Sequence, residues 1–377
     1  MKICFLSHEY PKRGLNPGGV GIFLQTIAPE LARAGHEVFV MGANNSNSYE
    51  ESWDQGVRII RIPNPQLKGI NWWLISRRLK RKIVEIAPDI LEGSELSFSF
   101  LGRIPGVKNI IRLHGGHHFF AESEDRKINS WKGYQEKKSF QNADGFIAVS
   151  EYVKHHTSKF LDFHGKPVAL IRYMIDTQKF ADSIGSGNPK PNSLVFVGTV
   201  CEKKGVGNLV KAIALIKKEY PDVHLDIYGK DWFFPNGRSY KELIAQQICN
   251  GLEKNIKIHD PVPHEQVPEI YQSAEFCIFP SFMETQGLVA PEAMAMGKIV
   301  IFTDRGPGPE TIQHGVNGYL CNPLDVTSIA DTIRLAFEST AQREVISRAA
   351  KARVLEVFNV ETNLGNNIRF YEQLVNG

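Results

Sequence analysis

The chain has 377 residues, 42% apolar and 23% charged, with a formal net charge of +3. This is the composition of a soluble globular protein, and two domains of ordinary size fit the length best. No apolar run approaches the roughly 20 residues that a membrane helix needs, and the opening MKICFLSHEY turns polar too soon for a signal peptide.

In chain order, strands alternate with helices in two successive blocks. Lys2–Leu6 is a short apolar strand. Residues 20–34 have helical periodicity, with Phe23, Leu24, Ile27 and Leu31 on one face. A strand follows at 37–41. The β-branched run 57–62, broken by Arg58 and Arg61, suits a strand with one wet face. Residues 71–86 read as a helix, 88–92, 109–113 and 143–150 as strands. The stretch 181–192, ADSIGSGNPKPN, is rich in Gly, Ser, Pro and Asn and reads as a linker. The second block has strands at 194–197, 224–228, 256–258, 276–279 and 299–303. Its helices fall at 206–218, 241–250 and 267–272, with two more starting at Val326 and Ala341. Residues 361–375 form a last amphipathic helix. Strands joined by helices imply parallel sheets with right-handed crossovers, and ligands of such sheets sit at the carboxyl ends of the strands. The expected domains are therefore 1–180 and 193–359.

The five cysteines, Cys4, Cys201, Cys249, Cys277 and Cys321, are odd in number and show no metal-binding spacing. Reduced cysteines in a cytoplasmic protein are expected. Residues 1–180 carry 25 Lys+Arg against 18 Asp+Glu, a net +7 that the remainder offsets with −4. A basic first half suits an acidic partner or an anionic surface, or is a solvated basic face.

The richest segment is 282–300, FMETQGLVAPEAMAMGKIV. Glu284 lies in a loop, Gly287 lets the backbone come close to a ligand, and the N–H groups of the following helix favour an anion. Pro291 is tolerated in the first turn, and Glu292 can reach back to hydroxyls on the same ligand. A phosphate flanked by two polyol groups describes a nucleotide sugar. The alternative is a surface helix with two solvated glutamates. Three further constellations lie at strand ends. Pro17-Gly18-Gly19-Val20-Gly21 precedes a helix and could cradle an anion or form a plain tight turn. Gly198-Thr199-Val200-Cys201-Glu202-Lys203-Lys204-Gly205 offers Lys204 as a point charge for an anion. Arg112-Leu113-His114-Gly115-Gly116 offers His114 for a sugar hydroxyl or as a structural histidine. His117 and His118 beside it are ambiguous, with no carboxylate spaced to complete a metal site. Asp304-Arg305-Gly306-Pro307-Gly308-Pro309-Glu310, with Gly315 and Asn317-Gly318, closes the set. No Asp-x-Asp pair and no nucleophile elbow is present.

These segments resemble retaining glycosyltransferase family 4, the glycosyl transferases group 1, with the GT-B fold. The likeness is strongest over 194–322. It implies an α/β chain of two Rossmann-like domains whose parallel sheets face a deep interdomain cleft, with the helix 360–377 packing back on the first domain. It also implies a metal-independent transfer from a nucleoside diphosphate sugar, UDP- or GDP-linked, to a glycan or polyprenyl-linked sugar, in cell-surface polysaccharide synthesis. No cofactor is expected. Glu284, His114 and Lys204 would be catalytic. Gly19, Gly198, Thr199, Gly287, Leu288, Val289 and Glu292 would hold the donor. Thr199 stands where the family has an arginine, so Lys204, with Lys203 as the alternative, would carry the charge. Tyr173-Met174-Ile175-Asp176 keeps only the end of the usual Asn-Gly-Val-Asp, and nothing is assigned there.

Residues 71–86, NWWLISRRLKRKIVEI, set five basic residues behind Trp72 and Trp73. Such a helix suits an anionic membrane surface, which would place the protein peripherally on the inner membrane face, or it is a core helix with a solvated basic side. No recognition module for nucleic acid accompanies it. Two other readings stay open: a GT-B nucleotide-sugar epimerase, and a non-catalytic sugar-nucleotide or glycan-binding protein, for which Thr199 is the best argument.

Overall fold

The structure is a computed structural model that describes every residue except 12–17, 68–69, 125, 183–188 and 250. It contains two compact units, Met1–Met174 with Val360–Gly377, and Ile175–Asn359. The division falls ahead of the glycine-rich 181–192 stretch. Ile175 and Phe180 are buried in the second unit's core, which draws the chain across early. Half of the stretch, 183–188, lies outside the described residues, but its end is strand rather than loop.

The first unit is built on an eight-stranded sheet. The strands are β1 (Lys2–Leu6), β2 (Glu37–Ala43), β3 (Glu50–Asp54), β4 (Val57–Ile62), β5 (Ile90–Gly93), β6 (Lys108–Leu113), β7 (Gly145–Ala148) and β8 (Val168–Leu170). Their order is β3-β4-β2-β1-β5-β6-β7-β8. All neighbours are parallel except β3 and β4, which form a hairpin. Its turn residues Gln55 and Gly56 have φ of 45° and 84°, the positive values a two-residue hairpin turn needs. One expectation for β4 fails. Arg58 and Arg61 are three apart, so strand alternation sends them to opposite faces. Arg58 meets Glu51 at 2.6 Å, but Arg61 is buried and donates to the carbonyl of Tyr10 at 3.2 Å.

The helix Val360–Asn376 belongs to this unit. It is held by a fully buried cluster. The Arg112 guanidinium donates to Glu92 at 2.7 and 3.1 Å and to Asn367 Oδ1 at 2.6 Å, while the Tyr371 hydroxyl donates to Glu92 at 2.7 Å. Arg112 also lies over the Phe23 ring at 4.6 Å.

The second unit has a wholly parallel six-stranded sheet of order β11-β10-β9-β12-β13-β14. The strands are β9 (Lys190–Val197), β10 (His224–Tyr228), β11 (Ile256–His259), β12 (Ala274–Phe279), β13 (Ile299–Thr303) and β14 (Tyr319–Cys321). Strands covered on both faces read as continuous apolar runs such as Phe276-Cys277-Ile278-Phe279, all buried. β9 starts inside the expected linker because Lys190 pairs with Ala274 across a register shift, and the Asn192 amide donates to Glu275 at 2.8 Å.

Candidate active site

In the second unit, the candidate residues collect where β9 and β12 end. β12 runs into the loop that precedes the helix Val289–Ala295. Gly287 sits in that loop with φ of 76°, and a Cβ there would lie 2.8 Å from the Phe302 ring. Only glycine fits without strain. Beyond β9, Glu202–Lys204 forms a single 3-10 turn ended by Gly205 at φ 74°. A Cβ on Gly205 would strike the Pro280 carbonyl, and the Phe282 amide donates to the Lys203 carbonyl at 2.8 Å. The two loops are thus pressed together, and Lys204 Nζ donates to Glu284 Oε1 at 2.5 Å.

Glu284 is only 8% exposed and Glu292 only 5%. The solvated-glutamate alternative fails on those two values, since a carboxylate that deep in the protein must be paired or hydrogen-bonded. Glu284 has its lysine. Glu292 lies in the first helical turn, and its Oε1 is 3.0 Å from His264 Nε2 while the Tyr271 hydroxyl donates to Oε2 at 3.4 Å. The Lys179 ammonium, a pure donor, meets His264 Nδ1 at 3.0 Å. Nδ1 therefore accepts, which leaves Nε2–H to donate to Glu292. Burial, then the Glu292 charge, pushes the Tyr271 phenol far above its usual range, so it stays a donor.

The amides of Gly287, Leu288 and Val289 have no acceptor among the described residues. Three unengaged N–H groups at the start of a helix are able to donate to an anion. Gly198 and Thr199 lie at the end of β9, where the Gly198 amide donates to Tyr228 at 2.9 Å. A Cβ on Gly229 would collide with the Gly198 carbonyl, so the backbones are in close contact here. Thr199 is half-buried and brings no charge. Asp304-Arg305-Gly306-Pro307-Gly308-Pro309-Glu310 follows β13. Glu310 belongs to the four-residue helix Gly308–Thr311.

Gly19 and His114 are in the first unit. Gly19 is the first residue of the helix Gly19–Arg33, and open space surrounds the place a Cβ would take. Pro17 of the same glycine loop lies outside the described residues. His114 ends β6. Its Nδ1 shares a hydrogen bond with the Tyr173 hydroxyl, and the two rings stack at 5.8 Å with 19° between planes. Burial, then the Arg112 charge, pushes the His114 imidazole down to about 3. It is neutral at physiological pH, with Nδ1 engaged by Tyr173 and Nε2 left to meet a hydroxyl.

Glu95, 4% exposed, accepts the Gly115 amide at 2.7 Å. Burial raises its carboxyl to about 8, and the Glu136 charge adds to the rise against backbone hydrogen bonds that lower it. Glu136 accepts the amides of His117 and His118 and pairs with the His118 ring, and His117 Nε2 accepts from Asn129. The ambiguous His117 and His118 are therefore structural. Among the described residues, no group of three or more His, Cys, Asp or Glu is placed to hold a metal ion.

Sequence reasoning missed His264, Lys179, Tyr271, Tyr173 and Glu95. Tyr173 falls in the segment to which no role was given, yet it orients His114.

The family model for glycosyl transferases group 1 matches residues 178–353, and that for glycosyltransferase family 4 matches 17–179. The glycogen synthase of Mycobacterium tuberculosis is 23% identical over 96% of this chain and 92% of its own. Among solved structures, the sucrose-phosphate synthase of Thermosynechococcus elongatus has a TM-score of 0.84 at 21% identity, covering 99% of this chain and 98% of its own. The Anabaena protein HepE, in complex with UDP-glucose, has a TM-score of 0.79 at 18% identity, covering 99% of this chain and all of its own. The chain belongs to the family 4, group 1 glycosyltransferases of GT-B fold. It is a glycosyltransferase.

Proposed function

We propose that this glycosyltransferase is a retaining, metal-independent enzyme that moves a sugar from a nucleoside diphosphate sugar to a glycan or lipid-linked sugar hydroxyl. The observation that carries the reading is the Lys204–Glu284 pair at 2.5 Å beside the three unengaged amides of residues 287–289. A diphosphate takes those amides and the Lys204 ammonium, which stand where a divalent cation would otherwise neutralise the leaving group. Glu284 then accepts hydrogen bonds from donor-sugar hydroxyls, and Glu292 from the ribose. Gly198 and Thr199 line the approach, Thr199 adding one hydrogen bond.

In the reaction, the bond from the anomeric carbon to the diphosphate oxygen breaks as the acceptor oxygen bonds on the same face. The acceptor proton passes to the departing phosphate oxygen, so no covalent enzyme intermediate forms. His114 hydrogen-bonds a hydroxyl through Nε2 and holds it in place. The UDP-glucose bound by the HepE structure supports a UDP-sugar as the first donor to try, with GDP-sugars next.

We extend the reading to cell-surface polysaccharide synthesis at an anionic membrane, for which the helix Asn71–Ile86 is the support. Trp72 and Trp73 are exposed, while Arg78 and Lys80 donate to the carbonyls of Pro63 and Leu101. Arg77, Lys80 and Arg81 are exposed, and in this reading they are the cations that meet lipid. No described helix is long and apolar enough to cross a membrane.

The test is proton NMR of the product made from each donor in the presence of EDTA, with an acceptor-free control. A product that keeps the donor's anomeric configuration is expected. An inverted product, activity restored only by Mg²⁺, or an altered nucleotide sugar without acceptor overturns the reading.

A further inference from the structure

The helix Ser130–Asn142 has two unlike faces. Gly133, Glu136, Ser139 and Phe140 are buried, with Glu136 bracing the turn after His114. Trp131, Tyr134, Gln135 and Lys138 instead join Ser99 and Phe100 around an open cavity of about 410 Å³. Trp131 is 58% exposed and Tyr134 54%. Their rings stack at 5.8 Å with 19° between planes, and Phe100 stands 6.1 Å from Trp131. The wall is pre-set. The Phe98 amide donates to Ser139 Oγ and the Asn142 side chain to the Phe98 carbonyl, both at 3.0 Å, which ties the Phe98–Leu101 helix to this one.

Three aromatic rings held around a recess leave apolar surface in water at a cost of about 25 cal/mol per Å². Nothing in the transfer chemistry uses them. A sugar ring matches such a site. Its faces are C–H groups, whose slightly positive hydrogens lie against the negative faces of aromatic rings. Its rim is hydroxyls, which the Ser99 hydroxyl, the Gln135 amide and the Lys138 ammonium can bond. A bilayer matches less well. Lipid is met by protruding side chains, and here an amide and an ammonium would be turned towards acyl chains.

We propose that this cavity binds an oligosaccharide, as a subsite for sugars of the acceptor that do not react. The proposal rests on the reading that the acceptor is a glycan. It assigns Trp131 and Tyr134 as the stacking residues and Gln135 and Lys138 as hydroxyl partners.

The full chain is screened on a printed array of neutral and acidic oligosaccharides. The strongest binder is then titrated by calorimetry into wild type, Trp131→Ala and Trp131→Phe. The expected result is binding at least tenfold weaker in Trp131→Ala and within about threefold of wild type in Trp131→Phe. Stabilisation by a panel of nucleotide sugars should be unchanged in both. No binding to any arrayed glycan, equal binding by wild type and Trp131→Ala, or a Trp131→Ala defect seen only with phosphatidylglycerol vesicles overturns the subsite. Trp131-dependent glycan binding without any nucleotide-sugar stabilisation would leave the subsite standing and remove the donor reading instead.

Discussion

Replacing Lys204 with Met removes the ammonium and keeps most of the stem. At an effective dielectric of about 20, opposite charges 2.5 Å apart attract by roughly 7 kcal/mol, but desolvation cancels most of that. The Lys204 side chain is 25% exposed and that of Glu284 8%, so the net stability loss should be about 1–3 kcal/mol, mostly from the stranded carboxylate. Glu284→Gln in the same chain removes that charge, and the double variant should regain at least half of the loss in urea unfolding. Activity should behave differently. A charge-assisted contact to the diphosphate is worth about 1.5–3 kcal/mol, so kcat/KM for the donor should fall about 10- to 150-fold in Lys204→Met. It should stay low in the double variant. Recovery of stability and activity together would show that Lys204 serves only to neutralise Glu284, and the assignment to the diphosphate would be wrong.

Three other outcomes are expected. Gly287→Ala forces a side chain to φ 76° and against Phe302, and should cost roughly 2–4 kcal/mol in urea unfolding together with donor binding; a neutral result would mean that the loop can re-form elsewhere. His264→Ala removes the donor that orients Glu292, so steady-state kinetics should show donor KM raised about 5- to 10-fold with a smaller change in kcat; a change in kcat alone contradicts this. Glu95 has its folded value raised to about 8 by burial, so between its ordinary value near 4.5 and 8 the native state holds a proton that the unfolded chain has released. Its contribution to stability is therefore full below about 4.5 and is lost as pH rises through 8, by at most about 1.4 kcal/mol per pH unit. Glu95→Gln should flatten that slope in urea unfolding across the window; an unchanged slope removes Glu95 as its source.

What was legible in the sequence was local. Apolar runs such as 276–279 gave the buried strands, and the Glu284-Gly287-Glu292 spacing gave a loop, a close backbone approach and a first-turn carboxylate without any tertiary information. Charged β3 was not legible, because Glu-Glu-Ser-Trp-Asp has no strand pattern and is made a strand only by pairing with β4. Arg61 looked solvent-facing until strand alternation and the Tyr10 carbonyl put it inside. The partners of the site residues lie far away in sequence. Tyr173 is 59 residues from His114, His264 is 28 from Glu292, and Lys179 is 85 from His264. A histidine in Val-Pro-His-Glu-Gln carries no local mark of the carboxylate it meets.

Thermal unfolding of the purified chain with UDP-, GDP- and ADP-sugars, alongside Glu292→Ala, tests the donor site most directly, since a ligand of the folded state must raise its stability by mass action. A single nucleotide sugar should stabilise the wild type and leave Glu292→Ala where it was. Stabilisation of neither, or of both alike, would contradict a donor site built on Glu284, residues 287–289 and Glu292.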